Sequence, residues 1–82
     1  MNLSNEEFDR LIFFAFRYSL GPWSTASSIV RDVIRKNRGE ITEMTKMAII
    51  CEINYAYKNG LLGDECDIEE WLSLKKELEN ED

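Results

Sequence analysis

The chain has 82 residues and contains no histidine, and this absence excludes much of enzyme chemistry. Histidine is the commonest general base, the commonest metal ligand and the usual partner of serine or cysteine nucleophiles. Only two cysteines are present, Cys51 and Cys66, so a zinc site would depend on two thiolates and carboxylates, which is a poor ligand set. The composition therefore predicts a protein that is not an enzyme and that holds no metal or other cofactor.

Long apolar runs and a cysteine framework are missing as well. Secreted scaffolds of this size usually carry four or more cysteines, so we expect both thiols to be reduced, with one disulfide as the alternative. Cys51 is predicted on the inner face of a helix and Cys66 in a loop. The longest apolar run, Leu11–Phe16, is far shorter than the roughly 20 residues of a membrane span. Met1–Arg10 is polar and acidic, unlike a secretory signal, so a cytoplasmic location is predicted.

Glycine and proline are few, and they separate segments with helical periodicity. Gly21 and Pro22 end the first segment, Gly39 is free to take positive φ after the second, and Gly60 follows the third. No segment alternates with the period of a strand. The pattern predicts four helices, over about Asn5–Leu20, Thr25–Asn37, Glu43–Asn59 and Ile68–Glu79.

Polar residues mark the start of each predicted helix. The expected N-caps are Ser4, Ser24, Thr42 and Asp67. The first and last of these are followed three residues later by Glu7 and Glu70, which is the capping-box pattern. Glu6, Glu7 and Asp9 also lie where the dipole of the first helix favours anions.

The first helix is expected to organise the core. The stretch Phe8–Trp23 holds most of the aromatic residues. Phe13, Phe16 and Leu20 widen the apolar sector of the helix well beyond one stripe, so this helix is predicted to pack on several sides. In the third helix the predicted inner stripe is Met44, Met47, Ala48, Cys51 and Tyr55. We therefore predict one all-α domain over residues 1–82, a compact bundle of about four short helices with helix 1 central and a frayed acidic tail over residues 78–82.

The formal charge of −6 is concentrated in the last quarter of the chain, where residues 61–82 hold nine acids and two bases. The acidic series there is Asp64, Glu65, Asp67, Glu69 and Glu70. An EF-hand loop needs glycine at its sixth position, and counting from Asp64 this position holds Glu69, so calcium binding is not predicted. Two interpretations remain: ordinary electrostatics at a helix start, or an acidic surface that binds a basic protein, as nuclease inhibitors commonly present.

Three arginines, Arg31, Arg35 and Arg38, share one face of the second helix. They could contact phosphates, but the acidic charge opposes nucleic acid, and the alternative is pairing with acids of the last quarter. For Arg17 we expect a structural salt bridge to the acids near Asp67, with a binding site as the alternative. Trp71 is expected in the core, while Trp23 fits a core or a binding anchor equally.

Two segments resemble a known family. Phe16-Arg17-Tyr18-Ser19-Leu20-Gly21, followed by Ser24-Thr25, resembles the FRYxLGR-x-T motif of small proteins from phage and prophage genomes. The Gly-x-x-Gly-x-x-Cys-Asp-x-x-x-Trp pattern within Ala56–Leu72 is similar to the end of that family. The chain departs from the motif at Pro22, where the family has arginine. The resemblance implies a mobile-element or bacterial-competition setting.

The sequence therefore predicts a small acidic binding protein that neutralises a larger basic protein. An immunity protein for a toxic nuclease and a phage-encoded inhibitor of a host enzyme are both of this kind. The residues predicted to bind the partner are Asp64, Glu65, Asp67, Glu69, Glu70, Glu77 and Trp23, helped by exposed tyrosines. The main alternative is a nucleic-acid-binding regulator that uses Arg31, Arg35 and Arg38. A third hypothesis, an enzyme or metalloprotein, would require metal bound to the purified protein.

Overall fold

The computed structural model describes residues 4–20 and 24–80, and for residues 24–26 it describes the backbone alone. Within these residues there are four α-helices and a short 3-10 turn at Arg38–Glu40. The helices are α1 (Asn5–Ser19), α2 (Ser24–Lys36), α3 (Glu43–Lys58) and α4 (Glu65–Glu79). The part of the chain described contains no strand, so the predicted all-α bundle of four short helices is confirmed.

Local capping explains where α1 and α3 begin. The Ser4 hydroxyl accepts the Glu7 N–H at 3.1 Å, and the Glu7 carboxylate accepts the Ser4 N–H at 3.2 Å, which confirms the predicted capping box. The Thr42 hydroxyl caps α3 by accepting the Thr45 N–H. At α2 the helix already includes Ser24, so the prediction that Ser24 is the N-cap is wrong. Its side chain lies outside the described atoms.

The start of α4 differs from the prediction. Its N-cap is Asp64, whose carboxylate accepts the Asp67 N–H at 3.0 Å, so the helix begins three residues earlier than expected. The capping box assigned to Asp67 and Glu70 is therefore wrong, and Cys66 lies in the helix instead of a loop. Gly63, with φ +102°, makes the turn that places Asp64 at the cap, because positive φ is easily reached only by glycine.

The structure confirms the predicted role of Gly60 and contradicts the one predicted for Gly39. Gly60 has φ +67° and ends α3 in a Schellman motif, in which the N–H groups of Leu61 and Gly60 donate to the carbonyls of Ala56 and Tyr57. Gly39 was expected to take positive φ, and this is wrong, because it lies inside the 3-10 turn after α2. Gly21 and Pro22 lie outside the described residues.

The core centres on an edge-to-face contact between Phe16 of α1 and Trp71 of α4, whose ring centroids are 5.5 Å apart. Both side chains are at most 1% exposed, which confirms the expected core position of Trp71. Through this contact and its packing on α2 and α3, helix α1 touches each of the other helices. The core also includes Leu78, so α4 is ordered into the segment that was expected to be a frayed tail.

Helix α1 is covered over a smaller part of its circumference than the sequence predicted. Leu11, Phe14 and Tyr18 are 52%, 70% and 74% exposed, so the expectation that α1 is covered over most of its circumference is wrong. Its partners lie on one side, and within the described residues the opposite side is uncovered.

Helix α3 turns a different face to the core from the one predicted. Ile49, Ile53 and Ala56 are buried, whereas Met44 and Tyr55 from the predicted stripe are exposed. Cys51 is exposed too, so its assignment to an inner face is wrong, and Cys51 and Cys66 are both free thiols. The error arose because α3 carries apolar side chains on two opposite sides, so periodicity alone does not select the buried one.

A buried carboxylate joins α1 to the start of α3. Asp9, 9% exposed, accepts the Thr42 N–H at 2.9 Å, the Thr42 hydroxyl at 3.2 Å and the Thr45 hydroxyl at 2.5 Å. The sequence indicated only a role in the dipole of its own helix. Its charge lies instead at the N-terminus of α3, where backbone N–H groups favour an anion.

Candidate protein-interaction surface

Arginines of α2 and of the 3-10 turn that follows it contact acids of α4, as one of the two sequence interpretations expected. Arg38 lies in that turn, so its assignment to the second helix is wrong. Arg35 Nε donates to a Glu77 carboxylate oxygen at 2.8 Å, and Arg35 Nη2 lies 3.6 Å from Glu70. Arg38 Nη1 lies 3.7 Å from the other Glu77 oxygen. We call these residues, together with Arg31 and Asp67, the α2–α4 ion-pair seam.

The centre of the seam is Arg35. The hydrogen bond from Arg35 to Glu77 raises the pKa of the Arg35 guanidinium, and this effect outweighs the lowering caused by its partial burial. Its side chain is 26% exposed and that of Glu77 37% exposed, so bulk water screens the pair only in part. The positive charge of Arg35 is thus matched within the molecule.

Arg31 is enclosed and cannot contact a macromolecule from outside. It is 5% exposed, its guanidinium carbon lies 4.9 Å from the Trp71 ring centroid, and its Nη2 lies 3.9 Å from Asp67. The Trp71 ring supplies cation–π stabilisation that a desolvated guanidinium needs, while Arg31 Nη1 is buried without a hydrogen bond. The sequence did not indicate this pairing, because the two residues are far apart along the chain.

Arg17 differs from its expectation. It lies on the exposed side of α1 and makes no ion pair with any residue in the ranges 4–20 and 24–80. The predicted salt bridge to the acids near Asp67 is therefore wrong. The arginine that pairs with Asp67 is instead Arg31 of α2.

The structure divides the predicted acidic residues into two groups. Asp67, Glu70 and Glu77 face arginines of the seam. Glu65 and Glu69 are exposed, and neither pairs with a base anywhere in the described chain. Asp64 caps α4 with one carboxylate oxygen and is itself exposed, and the Glu70 side chain remains 54% exposed. We call the residues Asp64, Glu65, Glu69 and Glu70 the acidic surface.

Exposed apolar residues adjoin the acidic surface in the chain. Tyr57 and Leu61, at the end of α3 and in the loop that leads to α4, are 51% and 50% exposed. Tyrosine at a surface supplies a large contact area at low entropic cost and is common at binding hot spots. The other predicted anchor, Trp23, lies outside the described residues.

Metal-ligating side chains are not clustered in the described part of the chain. Across residues 4–20 and 24–80 there is no group of three cysteine, aspartate or glutamate side chains that could hold a metal ion. An open groove of about 500 Å³ lies where α2 and α4 end, and its lining side chains are polar or charged: Arg38, Ser73, Lys76, Glu77 and Asn80. Among the described helices, none is long and apolar enough to cross a lipid bilayer.

Comparison of the chain with protein-family models, with curated proteins and with solved structures finds no match. The resemblance to small phage and prophage proteins therefore stays a prediction. Within its second segment, Gly60 and Gly63 supply the positive φ angles of the α3–α4 connection, and Trp71 fills the core. These residues of the motif thus have roles in the fold that are independent of any partner.

Proposed function

We propose that this protein is a small acidic helical binding protein that neutralises a larger basic protein in the cytoplasm. An immunity protein for a toxic nuclease, or a phage-encoded inhibitor of a host enzyme, has this character. One observation carries the proposal: Glu65 and Glu69 lie one turn apart on α4, exposed and unpaired within the described chain, while the neighbouring arginines are matched by other acids.

Charge complementarity is the physical basis of the proposal. A cluster of unpaired carboxylates raises the rate at which a basic surface is captured, and it discourages acidic competitors. Tyr57 and Leu61, which precede the acidic surface in the chain, would then supply apolar contact area. Because the net charge of −6 has the same sign as this surface, the field of the whole protein reinforces the attraction.

The alternative, a nucleic-acid-binding regulator, would require the arginines of α2 to contact phosphate. Arg31 is 5% exposed, and Arg35 would have to give up its hydrogen bond to Glu77. No observation in the structure favours this function. An electrophoretic mobility shift assay with random duplex DNA at low salt distinguishes the two, because the proposal expects no retardation at micromolar protein concentration.

Affinity capture with a charge-reversed variant tests the proposal. Wild-type protein and the Glu65→Lys/Glu69→Lys variant are immobilised, bacterial extract is passed over both, and retained proteins are identified by mass spectrometry. We expect a stoichiometric basic protein on the wild type, and a loss of affinity for it of about tenfold or more in the variant.

A matched control removes the effect of net charge alone. Glu6→Lys/Glu40→Lys changes the charge by the same amount at exposed acids on other elements, one of them also in the first turn of a helix. The control should retain the partner. The proposal fails if no stoichiometric partner is captured, or if the partner binds both double variants equally.

A further inference from the structure

Helix α3 has a second apolar side that faces away from the core. Met44, Met47 and Tyr55 are 82%, 64% and 62% exposed, and Cys51 between them is exposed. With 3.6 residues per turn, spacings of three and four place these side chains in one line along the helix. We call Met44, Met47, Cys51 and Tyr55 the outer α3 stripe.

Such a stripe indicates a packing partner. A helix that is apolar on two opposite sides is typically packed on both, and only the side of Ile49 and Ile53 is covered by the described chain. Exposed methionines arranged in a row suit an interface, because their flexible thioethers adapt to the opposing surface. The acidic surface used in the proposed function lies on a different helix, so the two surfaces are independent.

We propose that the outer α3 stripe is the interface of a homodimer, in which α3 packs antiparallel on α3 of a second copy. The stripe is symmetric about Cys51: Met47 and Tyr55 are each four residues from it, and Met44 and Lys58 are each seven. A two-fold axis beside Cys51 therefore brings Met47 against Tyr55 of the partner subunit. A contact between the Met47 sulfur and an aromatic ring is favourable. The two-fold symmetry produces this contact twice in the dimer.

Charges at the two ends of α3 select this arrangement. Glu43 stands at the first turn and Lys58 at the last, so antiparallel pairing brings the Glu43 carboxylate near Lys58 of the partner subunit. Parallel pairing would place like charges together. The Glu43 side chain is 87% exposed, although it also lies 3.5 Å from Lys46, so it remains accessible to a second copy.

The charge balance of α3 favours a second copy over a strongly charged partner. Residues 43–58 contain two acids and two bases, whereas the negative excess of the chain lies in residues 61–82. Helix α3 itself thus carries no net charge that would select a basic or an acidic protein at the stripe, and its two ends complement each other. The Lys58 methylenes can cover Met44 of the partner subunit while the ammonium reaches Glu43.

Sedimentation equilibrium over a range of protein concentrations tests the dimer. We expect a reversible monomer–dimer equilibrium, and Met47→Glu should raise the dissociation constant by about tenfold or more, since it buries an unpaired charge. Leu11→Glu, at an exposed apolar position of α1, is the matched control and should leave it unchanged. A monomer at every concentration, or equal effects of both variants, would overturn the proposal.

A charge swap and a cross-link test the antiparallel geometry. Glu43→Lys and Lys58→Glu should each weaken the dimer, and the double variant should restore it. A short bismaleimide should join two copies through Cys51 in the Cys66→Ser variant, and should leave the Cys51→Ser variant uncoupled at Cys66. Cross-linking through Cys66 alone, or a swapped double variant weaker than either single variant, would contradict the arrangement.

Discussion

Replacing Asp9 with alanine should lower the free energy of unfolding by about 2–3 kcal/mol. Asp9 accepts three hydrogen bonds from the start of α3, one from a backbone N–H and two from hydroxyls. Hydrogen bonds to a charged group contribute roughly 1.5–3 kcal/mol each, but they are not additive. The desolvation of a carboxylate that is 9% exposed offsets part of the sum.

In the Asp9→Ala variant, hydrogen bonds from the Thr42 and Thr45 hydroxyls to water offset part of the lost free energy. Thr42 is exposed and Thr45 half-buried, so both can turn to water once the carboxylate is gone. What remains is the Thr42 N–H and the lost anion at the N-terminus of α3, worth about 0.3–1 kcal/mol for the dipole alone. A domain of this size has a total stability of about 4–12 kcal/mol, so a loss of about 2–3 kcal/mol is a large fraction of it. Such a loss corresponds to a fall of roughly 10–20 °C in melting temperature.

Urea unfolding followed by far-UV circular dichroism measures the effect. Asp9→Asn keeps the shape and one carbonyl acceptor and should cost about half as much as Asp9→Ala. Asp32→Ala, at an exposed acid whose nearest arginine atom is 4.0 Å away, is the control and should change stability by less than about 0.5 kcal/mol. If Asp9→Ala is no more destabilising than this control, the hydrogen bonds of Asp9 do not stabilise the attachment of α1 to α3.

Three further outcomes are expected from substitution or titration of individual groups and of one ion pair. Gly63→Ala should destabilise by about 1–3 kcal/mol in urea unfolding, because its φ is +102° and a Cβ would lie 2.6 Å from a carboxylate oxygen, whereas Gly39→Ala, in open space, should be near neutral. A double-mutant cycle of Arg35→Ala and Glu77→Ala should give a coupling of about 0.5–1 kcal/mol, and additivity would remove the seam as a stabilising feature. Hydrogen bonds from Ser4 at the α1 cap lower the pKa of Glu7 below that of an unfolded-chain glutamate. Its stabilising contribution is therefore present above the unfolded pKa and is lost as the pH falls through the lowered folded-state pKa. A carboxyl NMR titration in which Glu7 has the midpoint of a model-peptide glutamate, or a higher one, would contradict this.

Local signals predicted the helices well. Ser4 and Thr42 satisfy backbone N–H groups within their own first turn, so their role is visible in a few consecutive residues. At α4 two overlapping patterns compete, one starting at Asp64 and one at Asp67. Neither pattern includes the turn at Gly63 that decides between them, so the sequence pointed to the later start.

Contacts between residues that are distant in the chain could not be predicted from local sequence patterns. The face that α3 buries depends on which side α1 and α4 cover, since both sides are apolar. The stacking of Arg31 on Trp71 and the role of Asp9 join residues far apart in the chain. The acidic series was recognisable from composition, but only the tertiary structure separates Glu65 and Glu69, which stay unpaired in the described chain, from acids that face arginines.

The association rate of the captured partner, measured by stopped-flow at increasing ionic strength, tests the proposed function most directly. Binding that depends on Glu65 and Glu69 should slow steeply with added salt for the wild type and for Glu6→Lys/Glu40→Lys. The Glu65→Lys/Glu69→Lys variant should associate slowly and respond little to salt. An association rate that is independent of salt in the wild type, or that falls equally in both double variants, would contradict capture of a basic partner by Glu65 and Glu69.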